Sequence, residues 1–224
     1  AMNGVEKIDG FVLPKINMQT LDEYEAIIRQ SGHTKKFLLM PTLETREVFD
    51  VADLVRIRNR MCEMRRTLPI VCIRIGANDI LNLLGIKRMP GLTIYDTPVG
   101  QVIDHIVTVF WPYDFEISAP VFDYIDDRVT LSREVKKDLT YGFFAKTAIH
   151  PSQIDVIEME FYQFLESNVE KATAVLSESE RAVFQEDGQM MEITCHGNWA
   201  RRTMALAQSM EVNAKPTTDR LQGS

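Results

Sequence analysis

The sequence predicts an α/β domain built on a largely parallel sheet and followed by a helical C-terminal segment, and two features predict it. Short β-rich runs alternate with amphipathic helical patterns about five times along the chain, which is how consecutive βα units read. Beyond Gln153 the alternation stops and only helical spacing remains. At 224 residues, of which 25% are charged, the chain has the size and balance of a globular protein with a sizeable core.

The first strand is expected over Gly10 to Lys15 (GFVLPK). The first helix follows over Leu21 to Gln30, with Asp22, Glu23 and Glu25 near its positive end and Ser31, Gly32 and His33 closing it. A second strand, Lys36 to Met40, leads through PTLET into a helix on which Val48, Val51, Leu54, Val55, Ile57, Met61 and Met64 keep helical spacing. That methionine-bearing stripe reads as core. The third strand is Ile70 to Ile75, the fourth Phe115 to Ala119 and the fifth Phe143 to Ile149, with helices over Val99 to Phe110 and Leu131 to Leu139. Helical segments near Ile154 to Leu165, Val169 to Leu176, Glu178 to Phe184 and Trp199 to Met210 complete the pattern.

A formal net charge of -7 argues against a nucleic-acid partner, because polyanion binding draws on a concentrated basic face. The arginines that do cluster, Arg56, Arg58, Arg60, Arg65 and Arg66, and later Arg201 and Arg202, are interleaved with acids and read as solvated helix faces. Cys62, Cys72 and Cys195 are odd in number and form no Cys-x-x-Cys pair, so neither a disulfide framework nor a zinc site is expected, and a reducing cytoplasm fits. No apolar run reaches the roughly 18 residues of a membrane span, and no signal-peptide pattern opens the chain. Ala1 before Met2 reads as a tag scar, with Met2 the expected native start.

In a parallel α/β sheet, chemistry collects beyond the carboxyl ends of the strands. The residues placed there are Pro14 and Lys15, then Glu44, Asp79, Pro120, Asp123, and finally Lys146, His150 and Pro151. Glu44 and Asp79, from neighbouring strand ends, can share a Mg²⁺ whose octahedron is completed by substrate oxygens and water. Spacing alone leaves open that both simply cap helices. Gly76 and Ala77 make a small-residue turn through which backbone N–H groups can approach an anion. Lys15 and Lys146 suit either substrate carboxylates or structural ion pairs. His150, before Pro151, reads as a positioning residue, and Cys195 beside His196 lacks any third group to orient a nucleophile.

Taken together and in this order, these motifs resemble the citrate lyase beta-chain-like branch of the HpcH/HpaI aldolase superfamily. GFVLPKI is similar to the family's strand of Gly, three apolar residues, Pro and Lys; PTLET to its apolar-Glu-Thr strand end; and RIGANDI to its Gly-Ala-x-Asp turn. GFFAKTAIHPSQI resembles the Gly-Phe-x-Gly-Lys-x-Ile-His-Pro-x-Gln block, and DGQMMEITCHGNWARR the Asp-Gly-x-Met lid segment with the last helix. TIYDTP and SAPVF also resemble lyase-like proteins encoded with tellurium-resistance genes.

The resemblance implies a Mg²⁺-dependent carbon–carbon lyase on a (β/α)8 TIM barrel, with Glu44 and Asp79 as metal ligands and the Gly76 and Ala77 backbone holding a substrate carboxylate. The implied chemistry is retro-aldol or retro-Claisen cleavage, or the reverse condensation, of a hydroxy or keto acid or an acyl thioester. A homo-oligomer, trimer or hexamer, assembled through the C-terminal helices is implied as well. Two departures stand out. Ala145 replaces the family's glycine before the lysine, and the family begins about three βα units earlier, with an acidic strand end and a substrate-binding arginine that have no counterpart here. About five units cannot close an eight-stranded barrel. The expected fold is therefore an incomplete, N-terminally shortened barrel over residues 3–160, a helical appendage or lid over 161–212 and a mobile tail over 213–224. The rival expectation is a non-catalytic, lyase-like scaffold or metabolite sensor.

Overall fold

Strands β1 (Gly10–Leu13), β2 (Leu38–Leu43), β3 (Ile73–Ile75) and β4 (Ile117–Ser118) lie side by side in sequence order, and every neighbouring pair is parallel. This computed structural model describes residues 7–30, 37–177, 184–186, 189–191 and 193–214. Between the strands run α1 (Met18–Gln30), α2 (Val51–Met64), α3 (Ala77–Leu83) and α4 (Val99–Phe110), and α5 (Arg128–Thr140) follows β4. Such an order of βα units is an arc of a TIM barrel rather than a closed ring. The chain divides into two units, residues 1–157 and 158–224.

One face of the sheet in the first unit is apolar, while Thr42, Arg74 and Ser118 lie side by side on the other. Leu39, Leu43, Ile73, Ile75 and Ile117 are buried, together with Leu54, Ile57, Met61 and Met64 of α2 and Ile103, Ile106 and Phe110 of α4. Each such side chain contributes roughly 1.5–3 kcal/mol on burial. The stripe is core from Leu54 through Met64, whereas Val51 at the start of the helix is exposed. Local polar groups set the helix starts: Asn17 Oδ1 accepts from Thr20 N (2.9 Å), Asp50 from Ala52 N (2.7 Å) and Asp127 from Thr130 N (3.0 Å).

The arginines of α2 sit among acids. Arg56 pairs with Asp53 at 2.6 Å, and Arg60 with Asp22 at 2.7 Å and with Glu25.

Three elements differ from expectation. β2 does not stop at Met40 but runs through Pro41 to Leu43, because the ladder is made on either side of the proline: Leu39 O accepts from Val71 N and Leu43 O from Gly76 N, both at 3.0 Å. Glu44 is thus the first residue past the strand. Ile70 makes only an isolated bridge to Leu39, so β3 begins at Ile73.

The expected fifth strand over Phe143 to Ile149 is a single bridge, Ala119 to Lys146, with Ala119 N donating to Ala145 O at 2.8 Å. There the Lys146 side chain turns inward onto α5. Its Nζ donates to Glu134 Oε1 (3.0 Å), Asp138 Oδ2 (2.8 Å) and Pro120 O (2.8 Å). Glu134 Oε2 also accepts from Arg88 Nη1 at 2.6 Å and from Ile94 N at 2.7 Å, and Asp138 Oδ1 accepts from Tyr95 at 2.6 Å. Ion pairing to a helix takes the place of a strand ladder at this position.

In the second unit, α6 (Ile154–Ser177), which begins in the first, merges the two helical segments read near 154–165 and 169–176. A hairpin, β5 (Phe184–Glu186) antiparallel to β6 (Gln189–Met191), leads to α7 (Ile193–Ala214). Ala172, Val175 and Ala200 pack with Trp199 and Met204 between the two helices. Phe184 is in a strand, not a helix, and residues 178–183, 187–188 and 215–224, like His33, lie outside the described residues. Among the described residues no helix is long and apolar enough to cross a membrane.

Candidate metal centre

Glu44 begins where β2 ends, and its position follows from the two neighbouring strands. On one side, Glu44 Oε1 accepts from the backbone N–H of Lys15, just past β1, at 2.8 Å. Lys15 reaches that geometry in the left-handed region, at φ 52°, a conformation that costs a side-chain-bearing residue of order 1 kcal/mol and tends to mark functional sites. On the other side lies Gly76 at the end of β3. A Cβ there would stand 2.1 Å from Glu44 Oε2 and 2.6 Å from Glu44 Cβ, so the carboxylate occupies the space the glycine leaves.

Burial pushes the Glu44 carboxyl above the usual range; the Lys15 amide pulls it back and the nearby Asp79 charge pushes it further up. The Lys15 and Arg74 charges also draw it down.

Asp79, in the first turn of α3, faces the same cleft. Its Oδ1 is 3.4 Å from Lys15 Nζ, with the lysine side chain 69% and the aspartate 45% exposed. An ion pair that open is worth only about 0–1 kcal/mol. Lys15 therefore does not lock Asp79 away from a stronger cation. Glu44, Asp79, Lys15, Arg46, Glu47 and Asn82 line a cleft of about 300 Å³.

The donor set fits Mg²⁺: two hard carboxylates, with the remaining positions left to water and substrate, is a usual way of holding it. Among the described residues no group of three or more His, Cys, Asp or Glu side chains could form an all-protein cage. The ammonium of Lys15 marks the place where positive charge is wanted.

Of the residues singled out by sequence, the structure brings Glu44, Asp79 and Lys15 together. The other three, Gly76, Ala77 and Lys146, stand in different surroundings. The Gly76 amide is donated to Leu43 O, so its part is to make room for Glu44. Ala77 is fully buried. Lys146, its side chain 1% exposed, has all three donors engaged in the core.

The block around His150 serves as a fastener: His150 Nδ1 lies 2.8 Å from Ser152 Oγ, and Gln153 Nε2 donates to Phe122 O at 3.0 Å. Cys195 and His196 are adjacent on α7, where neighbours do not face each other. Arg46 and Asn82 were not indicated by sequence. Only Arg46 carried a signal, its place two residues after Glu44.

Gly76→Ala tests the packing of the carboxylate. The new methyl meets Glu44 rather than backbone, so the fold survives at a cost of about 1–3 kcal/mol while Glu44 is displaced. Urea unfolding and Mg²⁺ titration of the same variant should show modest destabilisation and a disproportionate loss of metal affinity.

A model of the C-C bond lyase family of the TIM-barrel fold matches residues 1–212. The crystal structure of CitE from Mycobacterium tuberculosis in complex with magnesium, acetoacetate and coenzyme A is similar at a TM-score of 0.58 and 20% identity, over 88% of this chain and 78% of that one. A citrate lyase from Burkholderia xenovorans LB400 gives 0.62 and 17%, over 91% and 64%. RipC from Yersinia pestis gives 0.52 and 20%, over 68% and 63%. The chain thus covers less than two thirds of the length of the last two. At these identities the likeness is one of fold. No curated protein sequence matches the chain.

Proposed function

Since the chain belongs to the C-C bond lyase family of the TIM-barrel fold, we propose that it is a Mg²⁺-dependent carbon–carbon lyase acting on a hydroxy or keto acid, or its thioester, by a retro-aldol or retro-Claisen route. The observation that carries this reading is the convergence of Glu44 and Asp79 on one cleft, with Lys15 between them.

Glu44 and Asp79 would hold the metal, which would supply polarisation of a keto oxygen and stabilisation of the charge that develops there. Glu44 is kept in position by the Lys15 amide and by the room above Gly76. Lys15, only weakly paired with Asp79, would be free to turn its ammonium to a substrate carboxylate.

The same proposal takes the assembly to be a homo-oligomer, trimeric or hexameric through the C-terminal helices, as the resemblance implies. It places the protein in a reducing cytoplasm, which suits its three unbridged thiols. The link to tellurium-resistance genes rests on TIYDTP and SAPVF alone.

Calorimetric titration with Mg²⁺, followed by a cleavage assay with oxaloacetate and malyl-type thioesters, tests the function. Saturable Mg²⁺ binding that depends on Asp79, with metal-dependent release of a keto acid or acetyl fragment, is expected. Failure of the intact protein to bind Mg²⁺ ends the proposal.

A further inference from the structure

We propose that Arg46 selects the substrate of this cleft, taking the second carboxylate of a dicarboxylic hydroxy or keto acid. The inference rests on the metal-site reading above and names the substrate class of that same site. Arg46 opens the short 3-10 turn Arg46–Phe49 and lines the cleft with Lys15, Glu44 and Asp79.

The turn is fastened on both sides of the carboxylate it follows. Glu44 accepts from Lys15 N at 2.8 Å, Thr45 Oγ1 donates to Ile16 O at 3.0 Å, and Val48 N donates to Thr45 O at 3.1 Å. The backbone of Arg46 is therefore set relative to Glu44, and only its long side chain is left to move.

Of the two cations lining the cleft, Lys15 and Arg46, only Arg46 has its charge unspent among the described residues. Among the described residues it makes no ion pair, whereas Lys15 pairs with Asp79, Arg56 with Asp53, and Arg60 with Asp22 and Glu25. An exposed guanidinium lining the same cleft as two acids would remain available if those acids took up a divalent cation, and the cleft would then present two positive centres.

The two centres differ in kind. A metal held by Glu44 and Asp79 would attract a hydroxyl or keto oxygen and a nearby carboxylate, and a planar guanidinium matches a separate carboxylate in two-point fashion. A cleft of about 300 Å³ accommodates a small acid spanning both. A monocarboxylic acid fills the metal position and leaves Arg46 without a partner. Discrimination between diacid and monoacid therefore falls on this one residue.

The test compares malate with lactate as calorimetric ligands of the Mg²⁺-loaded protein, using the unaltered chain, Arg46→Gln and Arg46→Lys. Arg46 is exposed and unpaired, so the substitutions leave the fold intact. In Arg46→Gln, malate affinity should fall by roughly tenfold or more, while lactate and Mg²⁺ affinities change by less than about twofold. Arg46→Lys should recover part of the malate affinity, since it restores the charge without the fork.

Equal malate binding by the Gln variant and the unaltered protein overturns the inference, as do parallel losses for both acids, or a Mg²⁺-loaded protein that does not bind malate. In each of these cases the metal site stands. Absence of Mg²⁺ binding itself removes the metal-site reading and this inference with it.

Discussion

Lys146→Met is expected to destabilise the protein by about 3–5 kcal/mol at neutral pH, the range found when one partner of a buried ion pair is removed. For a chain of this length that corresponds to a fall in Tm of roughly 10 °C. Methionine keeps the length and much of the packing of lysine, so the loss is one of charge. Lys146 Nζ is the only donor that touches both Glu134 and Asp138 among the described residues, and its removal leaves two carboxylates in a dry interior with Arg88, Tyr95 and the Ile94 amide as their remaining donors.

The pH dependence has a definite sign. Burial pushes the Asp138 carboxyl up, and the Lys146 charge is the largest influence drawing it back. Without that charge, the Asp138 carboxyl moves further up. A folded-state pKa above the unfolded one contributes stability below the unfolded value and loses it as pH rises through the folded value. The deficit of the variant should therefore shrink on acidification into and below the ordinary carboxylate range. Urea titrations at about pH 7 and about pH 5 measure it.

The control is Lys15→Met. The same chemical change, made in an ion pair at 3.4 Å but 69% exposed on the lysine side, should cost no more than about 1 kcal/mol. Equal losses at the two lysines would show that Lys146 is not the keystone of a closed buried network.

Glu44→Gln should weaken Mg²⁺ binding by roughly a hundredfold or more, because one of two anionic ligands becomes a neutral amide. Glutamine has the shape of glutamate, and its carbonyl can still accept from the Lys15 amide, so the cleft itself is preserved. Two readouts separate loss of metal from loss of structure.

In the absence of Mg²⁺ the variant should be as stable as the unaltered protein or slightly more so, since burial already disfavours the charged form of Glu44. On adding Mg²⁺, the unaltered protein should gain thermal stability by mass action while the variant gains little. Turnover should disappear with metal affinity. An equal Mg²⁺-induced rise in Tm in both proteins would remove Glu44 from the site.

The parts of the site that were legible in the sequence are those fixed by position along a strand. A β-rich run that stops at a carboxylate placed Glu44 at the rim, and the RIGANDI turn did the same for Asp79. Lys15 and Lys146 looked alike, each next to a strand end, yet one is open to solvent and the other buried beside two acids. The acids that decide the matter, Glu134 and Asp138, sit in a helical stretch where they read as surface charges.

Gly76 was legible as a position needing a small residue, but not why. The demand comes from the Glu44 side chain above it rather than from a ligand approaching the backbone. Arg46 could not be told from any other exposed arginine until the cleft around it was known.

By itself the sequence determined the parallel order of the βα units, the residues at the strand ends and the apolar stripe of α2, because periodicity and strand termination are recorded within a few neighbouring residues. Which charges meet was decided only by the tertiary structure. Lys15 lies 29 positions from Glu44 and Arg88 lies 46 from Glu134. Whether such a pair is a solvated contact or a buried keystone depends on the water excluded around it, and folding alone sets that.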